Sequence, residues 1–255
     1  MTLRLCLALM LMLLPLGAIG QEKVVAALSR QDVAITTNFQ GTRLFVFGAI
    51  KRAAPAPEGP PLEVIVTVAA PREPVEVRRK SRRAGIWVNA EAVTVDAAPG
   101  FYAVATTGPL FDVLTYTEDL RHDISVGRMI RSVGAPMGIT DSQAFTEALI
   151  RIREDAGHYK LRPGAVRLRE ASLFDAEITL PADVTEGEYT ARIFLTRAGE
   201  VIDSTERRID VRMVGLERWV FNLSRERPLL YGLMAVALAG AAGWAAAAYS
   251  AWRRG

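Results

Sequence analysis

The chain has 255 residues, 50% of them hydrophobic, 23% charged and 7% aromatic, with 31 Lys and Arg against 28 Asp and Glu. That length suits one or two ordinary domains, and the composition excludes a disordered, collagenous or disulfide-scaffolded chain. Much of the apolar content sits in two end segments, 3–20 and 229–252, and the remainder is a moderately polar globular chain.

Residues 1–20 carry one early charge at Arg4, an apolar run from Leu5 to Leu14, a break at Pro15 and a small-residue end, Ala18-Ile19-Gly20. Basic start, short apolar core and small-residue cleavage site describe a secretory signal peptide, with Gln21 as the expected mature N-terminus. The lone cysteine, Cys6, lies inside this leader, so the mature chain is expected to have no thiol and no disulfide, thiolate metal site or thiol catalysis. Loss of Arg4 with the leader leaves a net charge of +2, too close to zero for a dedicated polyanion binder.

Segment 21–110 alternates with a period of two at Val33–Ile35, Arg43–Phe47 and Leu62–Val68, with further strands expected at Val75–Arg79, Ile86–Val95 and Tyr102–Thr106. The proline-rich stretch Ala53–Pro61 reads as a loop, because proline cannot donate to a β-ladder. In segment 111–160 a helix is expected at 142–156. Thr140 and Gln143 form a capping box before it, Phe145, Ala148, Leu149, Ile152 and Ala156 recur on one face, Glu147 and Arg151 pair on the other, and Gly157 is the stop. A second helix is expected from Phe111 to about Leu120.

Strands return in segment 161–215, at Val166–Glu170, Ser172–Leu180, Glu188–Thr196 and Glu200–Met213, with Arg197-Ala198-Gly199 as a hairpin turn. The proline-opened loop from Pro181 to Gly187, followed by Tyr189, resembles the corner tyrosine of immunoglobulin-like sandwiches, and a plain core tyrosine fits equally well. The expected fold is therefore mainly β. It comprises two immunoglobulin-like sandwiches in tandem, the second led in by helices.

Residues 216–227 read as a juxtamembrane helix with Leu216, Trp219, Val220 and Leu223 on one face, and Pro228 should kink the chain there. Residues 229–252 hold no charge, are long enough to cross a bilayer, and carry Tyr231, Tyr249 and Trp252 near their ends as interfacial aromatics. The signal peptide sets the expected orientation: a single pass through a bacterial inner membrane, the bulk periplasmic and the tail 253–255 cytoplasmic.

Several stretches together resemble the alphaproteobacterial putative transmembrane protein family. They are Ala34–Gly41 with Phe47-Gly48-Ala49, Val77–Lys80 with Gly85–Asn89, Leu173-Phe174 with Leu180-Pro181, and Pro228–Gly232. The resemblance spans nearly the whole mature chain and implies signal-bearing, single-copy proteins of about this length with no established activity. It also implies a place beside transporters of the sulfite-exporter type, and so an accessory role.

Catalytic motifs are scarce. The two histidines, His122 and His158, lie far apart without metal-ligand spacing, and no nucleophile elbow, Walker loop or dinucleotide fingerprint occurs. The most distinctive charge feature is Arg78, Arg79, Lys80, Arg82 and Arg83, beside Trp87. In an exported domain this patch suits an anionic lipid headgroup, a small anion or an acidic partner rather than nucleic acid, or simply a solvated hairpin end. In the span, Ala235, Ala239, Gly243 and Ala247 form a small-residue face of the kind that lets helices pack closely in lipid. The leading functional expectation is a non-enzymatic, membrane-anchored interaction module with no cofactor or metal, bound to a membrane-protein partner or to itself. An anion-binding sensor and an envelope hydrolase are the alternatives.

Overall fold

The computed structural model describes residues 22–36, 39–52, 59–132, 141–214 and 216–252. The expected leader 1–20 with Cys6, the expected mature start at Gln21, residues 53–58 of the expected proline-rich loop, the expected capping residue Thr140 and the tail 253–255 lie outside the described residues. In chain order come strands β1 (Lys23–Leu28), β2 (Asp32–Ile35), β3 (Thr42–Lys51), β4 (Leu62–Ala69), β5 (Arg72–Arg83), β6 (Ile86–Pro99) and β7 (Tyr102–Thr106). Helices α1 (Leu110–Val113), α2 (Tyr116–His122), α3 (Val126–Met129) and α4 (Ser142–Asp155) follow. Then come β8 (Tyr159–Arg162), β9 (Val166–Arg169), β10 (Leu173–Leu180), β11 (Gly187–Arg197) and β12 (Glu200–Met213), and finally α5 (Leu216–Glu226) and α6 (Pro228–Trp252).

Sheet A has the order β1-β3-β10-β9, sheet B the order β2-β12-β11-β4-β7-β8, and β5-β6 stand as a separate hairpin. The mainly β architecture with one C-terminal apolar helix is as expected; the tandem arrangement is not. β10 pairs along β3 from Leu173↔Ala49 to Leu180↔Thr42, and β11 pairs along β4 from Thr190↔Ala69 to Arg197↔Leu62. Both sheets thus take strands from both 21–110 and 161–215, and one sandwich replaces the two domains expected. Alternation reports which side chains face a core and is silent on which strand lies alongside.

The core follows from that alternation. Along β4, Leu62, Val64, Val66 and Val68 enter the core between the sheets, while Ile65 and Ala69 enter a second core on the far side of sheet B. β7 divides the same way, Ala103 and Ala105 against Tyr102 and Val104, so the central strands are buried on both faces and read as continuous apolar runs. The second core is roofed by Val77, Val93 and Val95 of the hairpin and by Leu110, Ile124, Met129, Phe145 and Leu149 from the helical stretch.

Locally, α4 has its N-cap at Asp141 without a side-chain capping bond, and the Gln143 amide donates to Glu147 at 2.9 Å, while the expected capping box with Thr140 lies outside the described residues. Of the apolar face expected there, Phe145 and Leu149 are buried, whereas Ile152 is 57% exposed, because the helix meets the hairpin along a narrow line. The helix expected from Phe111 is split into α1 and α2 by Leu114 and Thr115, whose hydroxyl caps α2 by accepting the Glu118 N–H. The Tyr189 hydroxyl donates to the Thr185 carbonyl at 2.9 Å, the backward bond that the loop spacing suggested, with the side chain fully buried.

Candidate interaction surfaces

The basic cluster lies on the β5–β6 hairpin. Ala84 and Gly85 form its two-residue turn with φ of 49° and 86°, the left-handed pair that matches strand twist in tight hairpins. Arg83 pairs with Ile86, Arg82 with Trp87 and Lys80 with Asn89, and the register shifts between Arg79 and Lys80. Five cations read as one patch separate here into two groups. Arg78 pairs with Glu76 at 2.8 Å, lowering the Glu76 pKa through that hydrogen bond. Arg79 bonds Glu91 at 3.0 Å and Asp141 at 2.6 Å and stacks over the Phe145 ring at 4.4 Å, tying the hairpin to the start of α4. Lys80, Arg82 and Arg83 reach no carboxylate among the described residues, and beside them Ile86 and Trp87 are 64% and 68% exposed.

A second surface was not legible in the sequence: the outer face of sheet A. An antiparallel sheet with one wet face normally turns polar residues outward. Here Val25, Phe45, Phe47 and Leu173 are 45%, 43%, 47% and 53% exposed. A shallow groove of about 630 Å³ runs between Val25, Phe47, Ala49 and Leu173. Charges share that face in pairs: Asp175, across from Phe47, meets Arg167 and Arg169 at 3.0 and 3.1 Å, and Glu177, across from Phe45, meets Arg43 at 3.6 Å. The alternation of β3 was visible in the sequence, but it could not show that the outward half of the strand is aromatic and left uncovered.

The third surface is α6. The segment Pro228–Tyr249 is long and apolar enough to cross a membrane, and none of its most apolar stretch is buried in the rest of the structure. Ala235, Ala239, Gly243 and Ala247 share a face, and a Cβ added at Gly243 would meet nothing within 4 Å. Helical bonding carries across the proline, Arg227 N–H to Leu223 O and Tyr231 N–H to Arg227 O both at 3.1 Å, so α5 leads into α6 as one helical path.

The remaining polar groups are spread over separate contacts. His122 sits 3.4 Å from Glu118, and His158 bridges Asp183 at 2.9 Å and Arg153 at 3.4 Å, so the two histidines serve separate contacts. The hydrogen bond from His158 lowers the Asp183 pKa. Arg192 donates to the carbonyls of His122 and Asp123 at 2.7 and 2.8 Å, closing the end of α2, while the Tyr102 hydroxyl donates to the Ile124 carbonyl at 2.6 Å. Burial pushes the Tyr102 and Tyr159 hydroxyls up to about 12. Glu22 is buried between Arg52 and Arg197, each at 2.7 Å.

A mainly β body joined to one exposed apolar helix defines a membrane protein with a single candidate spanning helix among the described residues. A family model described as a putative transmembrane protein, Alph_Pro_TM, matches residues 23–251, and the chain belongs to that family. No curated protein matches it. Among solved structures it is similar to Spo0M, the sporulation control protein of Bacillus subtilis, with 13% identity over 82% of this chain and a TM-score of 0.29. The chain spans 56% of that structure's length.

Proposed function

We propose that this protein is a membrane-tethered, non-enzymatic interaction module, its sandwich displayed on the periplasmic side of a bacterial inner membrane, that assembles with another membrane protein. The observation that carries the reading is the outer face of sheet A, where Val25, Phe45, Phe47 and Leu173 lie exposed among charges already paired with one another. Contiguous exposed apolar surface, here Val25, Phe47, Ala49 and Leu173, marks protein–protein contacts. The small-residue face of α6 offers the same partner a second contact inside the bilayer, where close backbone approach replaces the missing hydrophobic drive. A transporter of the sulfite-exporter type is the partner class that the family resemblance suggests.

Co-purification of the full chain from membranes in mild detergent tests this. Phe47→Glu should lower partner recovery by about tenfold or more, since a carboxylate buried unpaired in an apolar contact costs at least about 1.4 kcal/mol. Gly243→Ile should lower it too, by placing a branched side chain at the point of closest approach, while Leu238→Ile, on another face of α6, should leave it unchanged. Equal recovery for all three variants would remove the reading. Binding of an anionic ligand is a second reading, favoured by the three unpaired cations of the hairpin.

A further inference from the structure

The hairpin end combines charge and apolar surface in a way that the contact on sheet A does not use. From Lys80 to Asn89 it holds three cations and no carboxylate, whereas Arg78 and Arg79 just below are committed to Glu76, Glu91 and Asp141. Each exposed apolar side chain stands directly across from a guanidinium, Trp87 from Arg82 and Ile86 from Arg83. In water that pairing leaves a tryptophan and an isoleucine two-thirds exposed. At a bilayer surface it is matched on both counts: Trp settles at headgroup level, Ile reaches the acyl boundary, and long basic side chains extend to the phosphates.

Size and position separate a lipid surface from a protein as the occupant. A stable protein contact needs about 800 Å² from each partner, more than one Trp, one Ile and a two-residue turn present. A chain already held at the bilayer needs far less, because tethering makes the second contact intramolecular. The hairpin is also rooted on the membrane side of the sandwich. β11 begins with Gly187 opposite Val211, β4 ends with Ala69 opposite Thr190, and β5 starts at Arg72, so the hairpin leaves the body at the end from which β12 leads to α5 and α6. Past Arg79, which is tied to α4, the four residues Lys80–Arg83 carry the tip about 13 Å beyond the body at ~3.3 Å per residue.

We infer that the tip of the β5–β6 hairpin is a second membrane contact, in which Trp87 and Ile86 seat in the interface of an anionic bilayer while Lys80, Arg82 and Arg83 pair with lipid phosphates. The contact holds the sandwich at a fixed tilt over the membrane. It acts apart from sheet A and leaves that face free.

The test uses the full chain in nanodiscs, with Cys6→Ser and a single thiol introduced by Ala84→Cys at the exposed turn, labelled with a polarity-sensitive fluorophore. In discs containing phosphatidylglycerol the emission should shift to the blue and be quenched by brominated lipid; in pure phosphatidylcholine discs both effects should be at least about threefold smaller, and high salt should reverse them. Arg82→Glu/Arg83→Glu and Trp87→Ala should each abolish the shift while leaving the melting temperature unchanged, because the tip contributes nothing to either core. Inorganic phosphate added to phosphatidylcholine discs should produce no shift, which separates a lipid surface from a free anion. The same emission in both kinds of disc, or a shift that survives charge reversal, would overturn the inference. Partner recovery through Phe47 is read separately, so failure of either proposal leaves the other measurable.

Discussion

At Gly48 the backbone of β3 leaves no room for a side chain. Its inward-facing neighbours across the sheet are Ala26 and Phe174, and a Cβ would lie 2.5 Å from the Phe174 ring and closer still to the Val25 carbonyl. The glycine lets Phe174 reach 2% exposure beneath the apolar outer face. Gly48→Ala should therefore lower stability by about 1–3 kcal/mol, the usual cost of overpacking a filled core, seen as a lower melting temperature of the full chain in detergent. A variant melting with wild type would mean that the ring yields. The buried tyrosines set a different limit. Tyr102 and Tyr159 titrate near 12 in the folded chain against 10.0 ordinarily, so folding holds their neutral forms. A raised pKa contributes stability that is fully present below pH 10 and is lost as pH rises through about 12. Melting temperature measured across that window should fall, and less steeply in Tyr102→Phe; a flat profile would contradict the burial of these hydroxyls.

At the scale of elements, the interleaving of strands decides what can fold alone. β3 has no second neighbour without β10, and β4 loses one side of its ladder without β11. A fragment ending at residue 110 should accordingly lack a cooperative melt, whereas a self-contained first domain would show one; circular dichroism of that fragment distinguishes the two. The contrast also explains what was legible in the sequence. Strands with clean alternation or strong turn chemistry, such as Glu200–Met213 and the Ala198-Gly199 turn with φ of 51° and 79°, follow from local physics and were foreseen. β1, whose Ala-rich stretch Lys23–Leu28 has weak β character, and the four-residue β8 depend on neighbours distant in sequence and were not. The basic cluster was visible as composition, but only the hairpin register divides it into paired Arg78 and Arg79 and unpaired Lys80, Arg82 and Arg83. The apolar outer face of sheet A needed the pairing of β3 with β1 and β10 before it existed as a surface at all.

At the scale of the whole molecule, a sandwich with an exposed apolar face is coupled through α5 to a helix whose most apolar stretch is not buried among the described residues. In the proposed module the two act together only if the outer face of sheet A and the small-residue face of α6 are presented to the same neighbour. Orientation is thus the point on which the proposed module turns, and the signal-peptide pattern of residues 1–20 is its sequence warrant. Alkaline phosphatase fusions, active only when exported, measure it directly. A fusion after Val214 should be active and one after Gly255 inactive; an inactive fusion at Val214 with an active one at Gly255 would place the sandwich in the cytoplasm and contradict the account.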